Sequence, residues 1–182
     1  MKCKQQLSNR VALRRSEGMT LTDVMVATGI AFIVFAAVAS LSLYTARSFA
    51  AMGNYADLDN ASRNALDTMS CDIRQCRSLN AFTSNSLTFT DADTNTLVFA
   101  YDPVARTLTR TDNGQNKVLL YQCDYLNFEM SKRNPSNNFT FYSTTNVSEA
   151  KLIDVSWRCS RQILGAAVNT ESVQTAKIVI RN

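Results

Sequence analysis

The chain has 182 residues, of which 46% are hydrophobic, and its formal net charge is +4. Five basic residues and one acidic residue precede Met19, so this basic N-terminal stretch holds the whole excess and the rest of the chain is neutral overall. A neutral body lacks the basic surface that neutralises phosphates, so we expect it to have no nucleic-acid partner. The basic stretch suits the cytoplasmic flank of a membrane span.

The complete absence of histidine narrows the possible functions further. It removes the commonest general base and the commonest transition-metal ligand, and with them every histidine-based catalytic triad and zinc site. The five glycines are scattered, so no phosphate-binding loop is present. We therefore expect a protein that is not an enzyme and that has no cofactor and no small-molecule substrate.

One segment has the spacing of a calcium loop, Asp91-x-Asp93-x-Asn95. It lacks the glycine and the final glutamate of the EF-hand pattern. Asp and Asn also dominate tight turns, because their side chains hydrogen-bond to the local backbone. We interpret this segment as a hairpin turn and expect no metal site.

Residues 24–43 form an apolar run, VMVATGIAFIVFAAVASLSL, without a single charge. Twenty such residues are enough for a helix to cross the ~30 Å core of a bilayer. A secretory signal peptide would have a shorter apolar core and a cleavage site after it. The carboxylate of Asp23 directly precedes the run and has no basic side chain in the run to pair with, which points to a functional role.

The sequence Gly18-Met-Thr-Leu-Thr-Asp23, with a basic leader before it and an apolar run after it, resembles the type IV prepilin motif. The resemblance implies that a prepilin peptidase cuts between Gly18 and Met19 and methylates the new amino terminus. Asp23 stands where the family usually has glutamate, an acid that meets the N-terminal amine of a neighbouring subunit. The alternative from the residues alone is a generic single-pass anchor.

The same resemblance implies a domain plan and a location. Residues 1–18 would be a cleaved leader, 19–45 a transmembrane and assembly helix, 46–78 its periplasmic continuation, and 79–182 a sheet domain. The N-terminus would be cytoplasmic and the C-terminal domain periplasmic, with the chain anchored in the inner membrane. The implied partners are other pilin or pseudopilin subunits and the prepilin peptidase.

Between Tyr55 and Cys76, apolar residues recur at intervals of three and four, which predicts one face of a helix. This apolar face consists of Leu58, Ala61, Ala65, Leu66, Met69, Ile73 and Cys76. We expect it to pack on a sheet.

The second half of the chain alternates between short apolar-polar runs and polar turn clusters, which predicts strands joined by tight, mainly antiparallel connections. The predicted strands are residues 86–90, 96–101, 106–111, 117–130, 138–143, 150–159 and 173–181. A long helix on an antiparallel sheet is an α+β plan, and it matches the pilin-like fold. More loosely, residues 55–181 resemble the J-class minor pseudopilins and the PilW-like minor pilins.

These resemblances imply a subunit at the tip, or in the initiation, of a type II secretion pseudopilus or a type IV pilus. The alternative function is a membrane-anchored extracytoplasmic binding domain unrelated to filaments.

Apart from Cys3 in the leader, the chain has four cysteines, Cys71, Cys76, Cys123 and Cys159. An even number in an oxidising compartment favours one or two disulfides; the alternative is four buried free thiols. At ~100° per residue, Cys76 lies ~20° from Met69 at the centre of the apolar face, and Cys71 lies ~160° away. We therefore expect Cys76, and not Cys71, to be the helix cysteine that reaches a strand cysteine.

Overall fold

The structure, a computed structural model of the chain, describes residues 18–136, 140–162 and 170–180. Its internal contacts divide the chain into two compact units, Met1–Thr45 and Ala46–Asn182. In the first unit the described residues are helical from Leu21 onward, and this helix, α1, runs Leu21–Gln75. The predicted leader lies outside the described residues except for Gly18.

The described part of the second unit contains nine strands and one short 3₁₀ helix, Val147–Glu149. The strands are β1 Ser78–Thr83, β2 Ser86–Thr90, β3 Thr96–Asp102, β4 Thr107–Asp112, β5 Gln115–Leu120, β6 Cys123–Arg133, β7 Phe141–Ser143, β8 Leu152–Ser160 and β9 Glu171–Val179. They form a five-stranded sheet in the order β1-β2-β3-β4-β5 and a four-stranded sheet in the order β7-β6-β8-β9. Every pairing is antiparallel.

The fold class is α+β, as the sequence predicts. One hydrophobic core joins the helix to both sheets, because the same cluster contains Met69 and Ile73 of α1, Phe89 and Phe99 of the first sheet, and Trp157 of the second. Alternate residues of β2, β3 and β8 are buried, as expected for strands with one face on a core.

Tight turns set the register of the first sheet. Asn113 and Gly114 connect β4 to β5, and both have positive φ, 47° and 79°. Two central residues with positive φ make a type I′ turn, the two-residue connection whose twist matches that of paired strands. The Asp91–Asn95 segment also closes a hairpin, with the Asp91 N–H donating to the Asn95 carbonyl at 2.9 Å.

The single strand predicted for 117–130 is wrong. The chain leaves β5 at Leu120 and starts β6 at Cys123, so one predicted strand belongs to two sheets. Gln122 adopts φ 57° at the break, and its carbonyl accepts the Ser160 N–H at 3.1 Å. The hydrogen bond from Ser160, a residue distant in sequence, therefore fixes the turn, and no residue typical of turns indicates it in the local sequence.

Smaller differences concern element ends and the helix face. Helix α1 ends at Gln75, not at residue 78, and β1, which was not predicted, starts at Ser78. Ala61 is exposed and Ser62 is fully buried in its place. The predicted strand 138–143 is shorter, since β7 starts at Phe141; residues 138, 139 and 181 lie outside the described residues.

Candidate processing and assembly site

The predicted cleavage point is exposed. Gly18 and Met19 both lie before the first helical residue, Leu21, and both are solvent-exposed. A Cβ atom added to Gly18 would meet no other heavy atom within 4 Å. Exposed backbone outside regular structure is where a protease can bind a chain in its active site. The Gly18–Met19 bond is therefore exposed in the part of the chain that the structure describes.

Thr20 and Asp23 form a reciprocal cap at the start of α1. The Asp23 N–H donates to the Thr20 hydroxyl at 3.3 Å. In return the Asp23 carboxylate accepts the Thr20 N–H at 3.1 Å and the Thr20 hydroxyl proton at 2.7 Å. This is a capping box, in which two backbone donors at the helix start are satisfied by side chains. The pattern Thr-x-x-acid was present in the sequence, and its structural meaning was missed there.

The cap leaves half of the carboxylate unused. Both bonds from Thr20 go to Oδ2 of Asp23, and among the described residues Oδ1 has no hydrogen-bond partner. An acid in the first turn is also favoured by the helix dipole, whose N-terminal end is positive. The capping box thus fixes the side chain while one oxygen remains available to a cation.

The surface that follows Asp23 in the first unit is uncharged and mostly apolar. All described residues from Gly18 to Thr45 are exposed, including the large side chains of Phe32, Ile33 and Phe35. By length and composition α1 is able to cross a membrane, with a mean hydropathy of 2.5 over its most apolar window. A helix with no charged face, whose Ser and Thr hydroxyls donate to its own backbone carbonyls, is suited to lipid or to other apolar helices, not to water.

The four candidate disulfide cysteines have different surroundings, and the structure has all four as free thiols. Cys71 is exposed, whereas Cys76, Cys123 and Cys159 are buried. Cys123 and Cys159 lie opposite each other on β6 and β8. Burial, together with the negative charges of Asp91 and Asp72, raises the pKa of Cys76 to about 12.

A buried polar contact that the sequence did not reveal joins α1 to the second sheet. The indole N–H of Trp157 donates to the hydroxyl of Ser62 at 3.3 Å, and both residues are buried. A buried tryptophan needs an acceptor for this proton. Ser62 therefore occupies a position that an apolar residue would otherwise fill.

Ion pairs connect α1 and the strands at their edges. Arg110 of β4 donates to Asp72 of α1 at 2.6 Å and to Asp112 at 2.9 Å. Arg106 binds Asp124, which also accepts the Ser160 hydroxyl. These contacts fix the ends of β4, β6 and β8 relative to one another.

The second unit also has an open surface groove of about 640 Å³, lined by Asp67, Ser70, Cys71, Arg74, Gln75 and Val179.

Among the described residues no group of three or more His, Cys, Asp or Glu side chains is arranged to hold a metal ion. Asp91 accepts the neighbouring Ala92 N–H at 2.7 Å, a turn contact.

Comparison of the chain with family models, curated proteins and solved structures gave no match.

Proposed function

We propose that the chain is a minor pilin or pseudopilin, a structural subunit of a type II secretion pseudopilus or a type IV pilus. The observation that carries the proposal is the order of features at the N-terminus. An exposed Gly18–Met19 bond is followed at once by a capped helix start whose carboxylate has one unpaired oxygen, and then by an uncharged, mostly apolar exposed surface.

Each feature corresponds to one step of filament assembly. Prepilin peptidase cuts between Gly18 and Met19 and methylates the Met19 amine. The apolar helix holds the chain in the inner membrane, with the C-terminal domain on the periplasmic side. It then exchanges lipid for the helices of other subunits. An uncharged surface suits both environments, because its Ser and Thr hydroxyls donate to carbonyls of the same helix and need no other partner.

Asp23 supplies the directional contact in this scheme. Cleavage creates an α-amino group near the depth of the carboxylate, and the free Oδ1 atom pairs with that group on a neighbouring subunit. An unpaired charge in an apolar surrounding is costly, so pairing favours the assembled helix over the single one. Aspartate has a shorter side chain than the family's glutamate, and the bond to Thr20 holds it close to the helix start. We place the subunit at the tip or in the initiation complex.

Processing is the first test. The chain is produced with a prepilin peptidase, and the mature N-terminus is determined by mass spectrometry. We expect a protein that begins at N-methylated Met19. A protein that begins at Met1, or at a position after residue 45, would contradict the proposal and favour the membrane-anchored binding domain. Gly18→Ala is the matched variant, and it should accumulate uncut.

The second test separates the charge of Asp23 from its capping role. Asp23→Asn keeps an oxygen acceptor for the Thr20 N–H but removes the charge, whereas Thr20→Val removes the cap and keeps the carboxylate. Site-specific crosslinking to the other subunits of the same filament is measured in membranes. We expect Asp23→Asn and Asp23→Ala to lose crosslinking while still inserting, and Thr20→Val to retain it. Undiminished crosslinking in Asp23→Asn would reduce Asp23 to a helix cap.

A further inference from the structure

Two buried cysteines face each other across neighbouring strands of the second sheet. Cys123 begins β6, Cys159 is the penultimate residue of β8, and they are direct partners in the antiparallel register. Their exposures are 0% and 1%. The Cys123 thiol donates to the Tyr125 carbonyl at 3.2 Å.

The backbone hydrogen bonds around the pair indicate a position where the Cα atoms of the two strands come close together. The Cys123 N–H donates to the Arg106 carbonyl at 2.9 Å, so it is not exchanged with Cys159. The Ser160 N–H instead donates to the Gln122 carbonyl at 3.1 Å, one residue outside the pair on each strand. This is the pattern of a non-hydrogen-bonded pair, where Cα atoms are ~4.5 Å apart. Disulfides span Cα separations of ~4.4–6.8 Å.

Contacts that do not involve sulfur fix this geometry. The Tyr101 hydroxyl of β3 donates to the Cys123 carbonyl at 3.0 Å. Asp124, the extra residue where the β6–β8 register shifts, binds both Arg106 and the Ser160 hydroxyl. The two cysteines are therefore held opposite each other by the fold, and bond formation requires no change of register.

The other two cysteines have different neighbours. Cys71 is exposed on α1, and its sulfur accepts the Gln75 side-chain amide at 3.3 Å. Cys76 is buried near Asp72, Asp91 and Arg110. Among the described residues, the strand register sets Cys123 and Cys159 opposite each other.

We propose that Cys123 and Cys159 form a cross-strand disulfide, and that Cys71 and Cys76 remain thiols. This proposal differs from the expectation that Cys76 is the helix cysteine that reaches a strand cysteine. The oxidant is a disulfide donor, either a protein disulfide or oxidised glutathione. The extracytoplasmic location in the proposed function would supply such a donor, but the geometry of the bond does not depend on filament assembly.

The chemistry is two successive thiol–disulfide exchanges. Before the sulfurs are buried, either thiolate can start the exchange. When Cys159 does so, it attacks the donor disulfide, forms a mixed disulfide and releases one donor thiolate. Cys123 then loses its proton, attacks the Cys159 sulfur and releases the second donor thiolate. Two protons leave the chain, and two electrons reduce the donor. Because both sulfurs are buried in the fold, we expect the exchange to precede final burial.

The test is peptide mass spectrometry of the full chain without reduction. Trypsin places the four cysteines in separate peptides, residues 64–74, 75–77, 118–132 and 159–161, so each possible pairing has its own mass. The chain is purified in detergent, unfolded with reductant and refolded with reduced and oxidised glutathione. Recovery of the fold is followed by the fluorescence of Trp157, the single tryptophan. Free thiols are then alkylated with N-ethylmaleimide in denaturant before digestion.

We expect residues 118–132 to be linked to residues 159–161, with N-ethylmaleimide on Cys71 and Cys76. Alkylated Cys123 and Cys159 in the refolded protein, or a link from either one to Cys71 or Cys76, would overturn the proposal. The same digestion of protein taken directly from membranes reports the compartment separately. Free thiols there, with the link present after refolding, would support the bond and argue against the proposed extracytoplasmic location.

Thermal unfolding provides a second measurement. Closing a loop between β6 and β8 restricts the unfolded chain, so reduction of the linked protein should lower its midpoint by about 10 °C. Cys123→Ser and Cys159→Ser should show a lower midpoint and no further loss on reduction. Cys71→Ser is the matched control, and reduction should lower its unfolding midpoint by the same amount as that of the wild-type chain. An unchanged midpoint after complete reduction of the wild-type chain would contradict a structural disulfide.

Discussion

Similar apolar side chains are exposed in the first unit and buried in the second. In the first unit Phe32 and Phe35 are about three-quarters exposed, at 75% and 74%, whereas in the second unit Phe89 and Phe128 are 0% and 1% exposed. The second unit contains its own hydrophobic core, in which the Ser62 hydroxyl accepts the indole N–H of Trp157. The first unit has no core within its described residues. The second unit therefore carries its own stability, and the first requires an apolar environment from elsewhere.

The most direct test of this difference removes one phenylalanine ring from each unit. Phe128→Ala removes a buried ring and should lower the free energy of unfolding of the second unit by about 3–5 kcal/mol. Phe35→Ala is the matched control, and it should leave that free energy unchanged because its ring contributes nothing to the core. Urea unfolding of the full chain in detergent, followed by Trp157 fluorescence, measures both variants. Equal losses in the two variants would contradict the division into one self-sufficient and one dependent unit.

The contact between Ser62 and Trp157 tests how far the second unit depends on polar satisfaction. Ser62→Ala leaves the buried indole N–H without its acceptor and should cost about 1–3 kcal/mol. The same unfolding experiment measures it by fluorescence. The exposed Ala61→Ser change on the adjacent position is the control and should stay within about 0.5 kcal/mol of wild type. A neutral Ser62→Ala would mean that Trp157 needs no partner from α1.

The pH dependence of the second unit should reflect Cys76. Its pKa of about 12 in the folded state lies above that of an unfolded thiol, so its contribution is fully present below about pH 9. Between about pH 9 and 12 the unfolded state loses the proton first, and the free energy of unfolding should fall by about 1.4 kcal/mol per pH unit.

Urea unfolding at pH 8, 9 and 10 compares wild type with Cys76→Ala, in which the slope from this thiol should disappear. Cys71→Ala removes an exposed thiol and should leave the slope as in wild type. Identical slopes in Cys76→Ala and wild type would show that another group controls alkaline stability.

Local patterns predicted some elements well and others poorly, for identifiable reasons. Strand β2 has the predicted bounds, 86–90, because alternate burial of Leu87 and Phe89 is written directly in the sequence. The break between β5 and β6 was missed because Gln122 is held at φ 57° by contacts from β8. The local sequence around Gln122 does not predict a contact with residues so distant along the chain.

The candidate site shows the same limit. The motif around Gly18 and Asp23 is local and stays a prediction, and the capping box with Thr20 lies in the same six residues. The partnership of Cys123 with Cys159 depends on the register of two strands and on the bulge at Asp124, so helical phase alone directed attention to Cys76.

Two glycines of the second unit give the smallest effects, and these should have opposite signs. Gly114 has φ 79° in the β4–β5 turn, so Gly114→Ala forces an L-residue into the left-handed region and should cost about 1 kcal/mol. Gly53 lies inside α1, where an added Cβ meets nothing within 4 Å, so Gly53→Ala should stabilise the helix by about 0.5–1 kcal/mol.

Thermal unfolding of both variants, followed by Trp157 fluorescence, gives the sign of each effect. If Gly53→Ala leaves the midpoint unchanged, the helix around residue 53 unfolds independently of the core. The boundary at Ala46 would then have to move toward Leu58, the first residue of α1 that is buried. A raised midpoint would show that the second unit begins before the helix reaches its sheets, because a helical residue stabilises only the unit with which it unfolds.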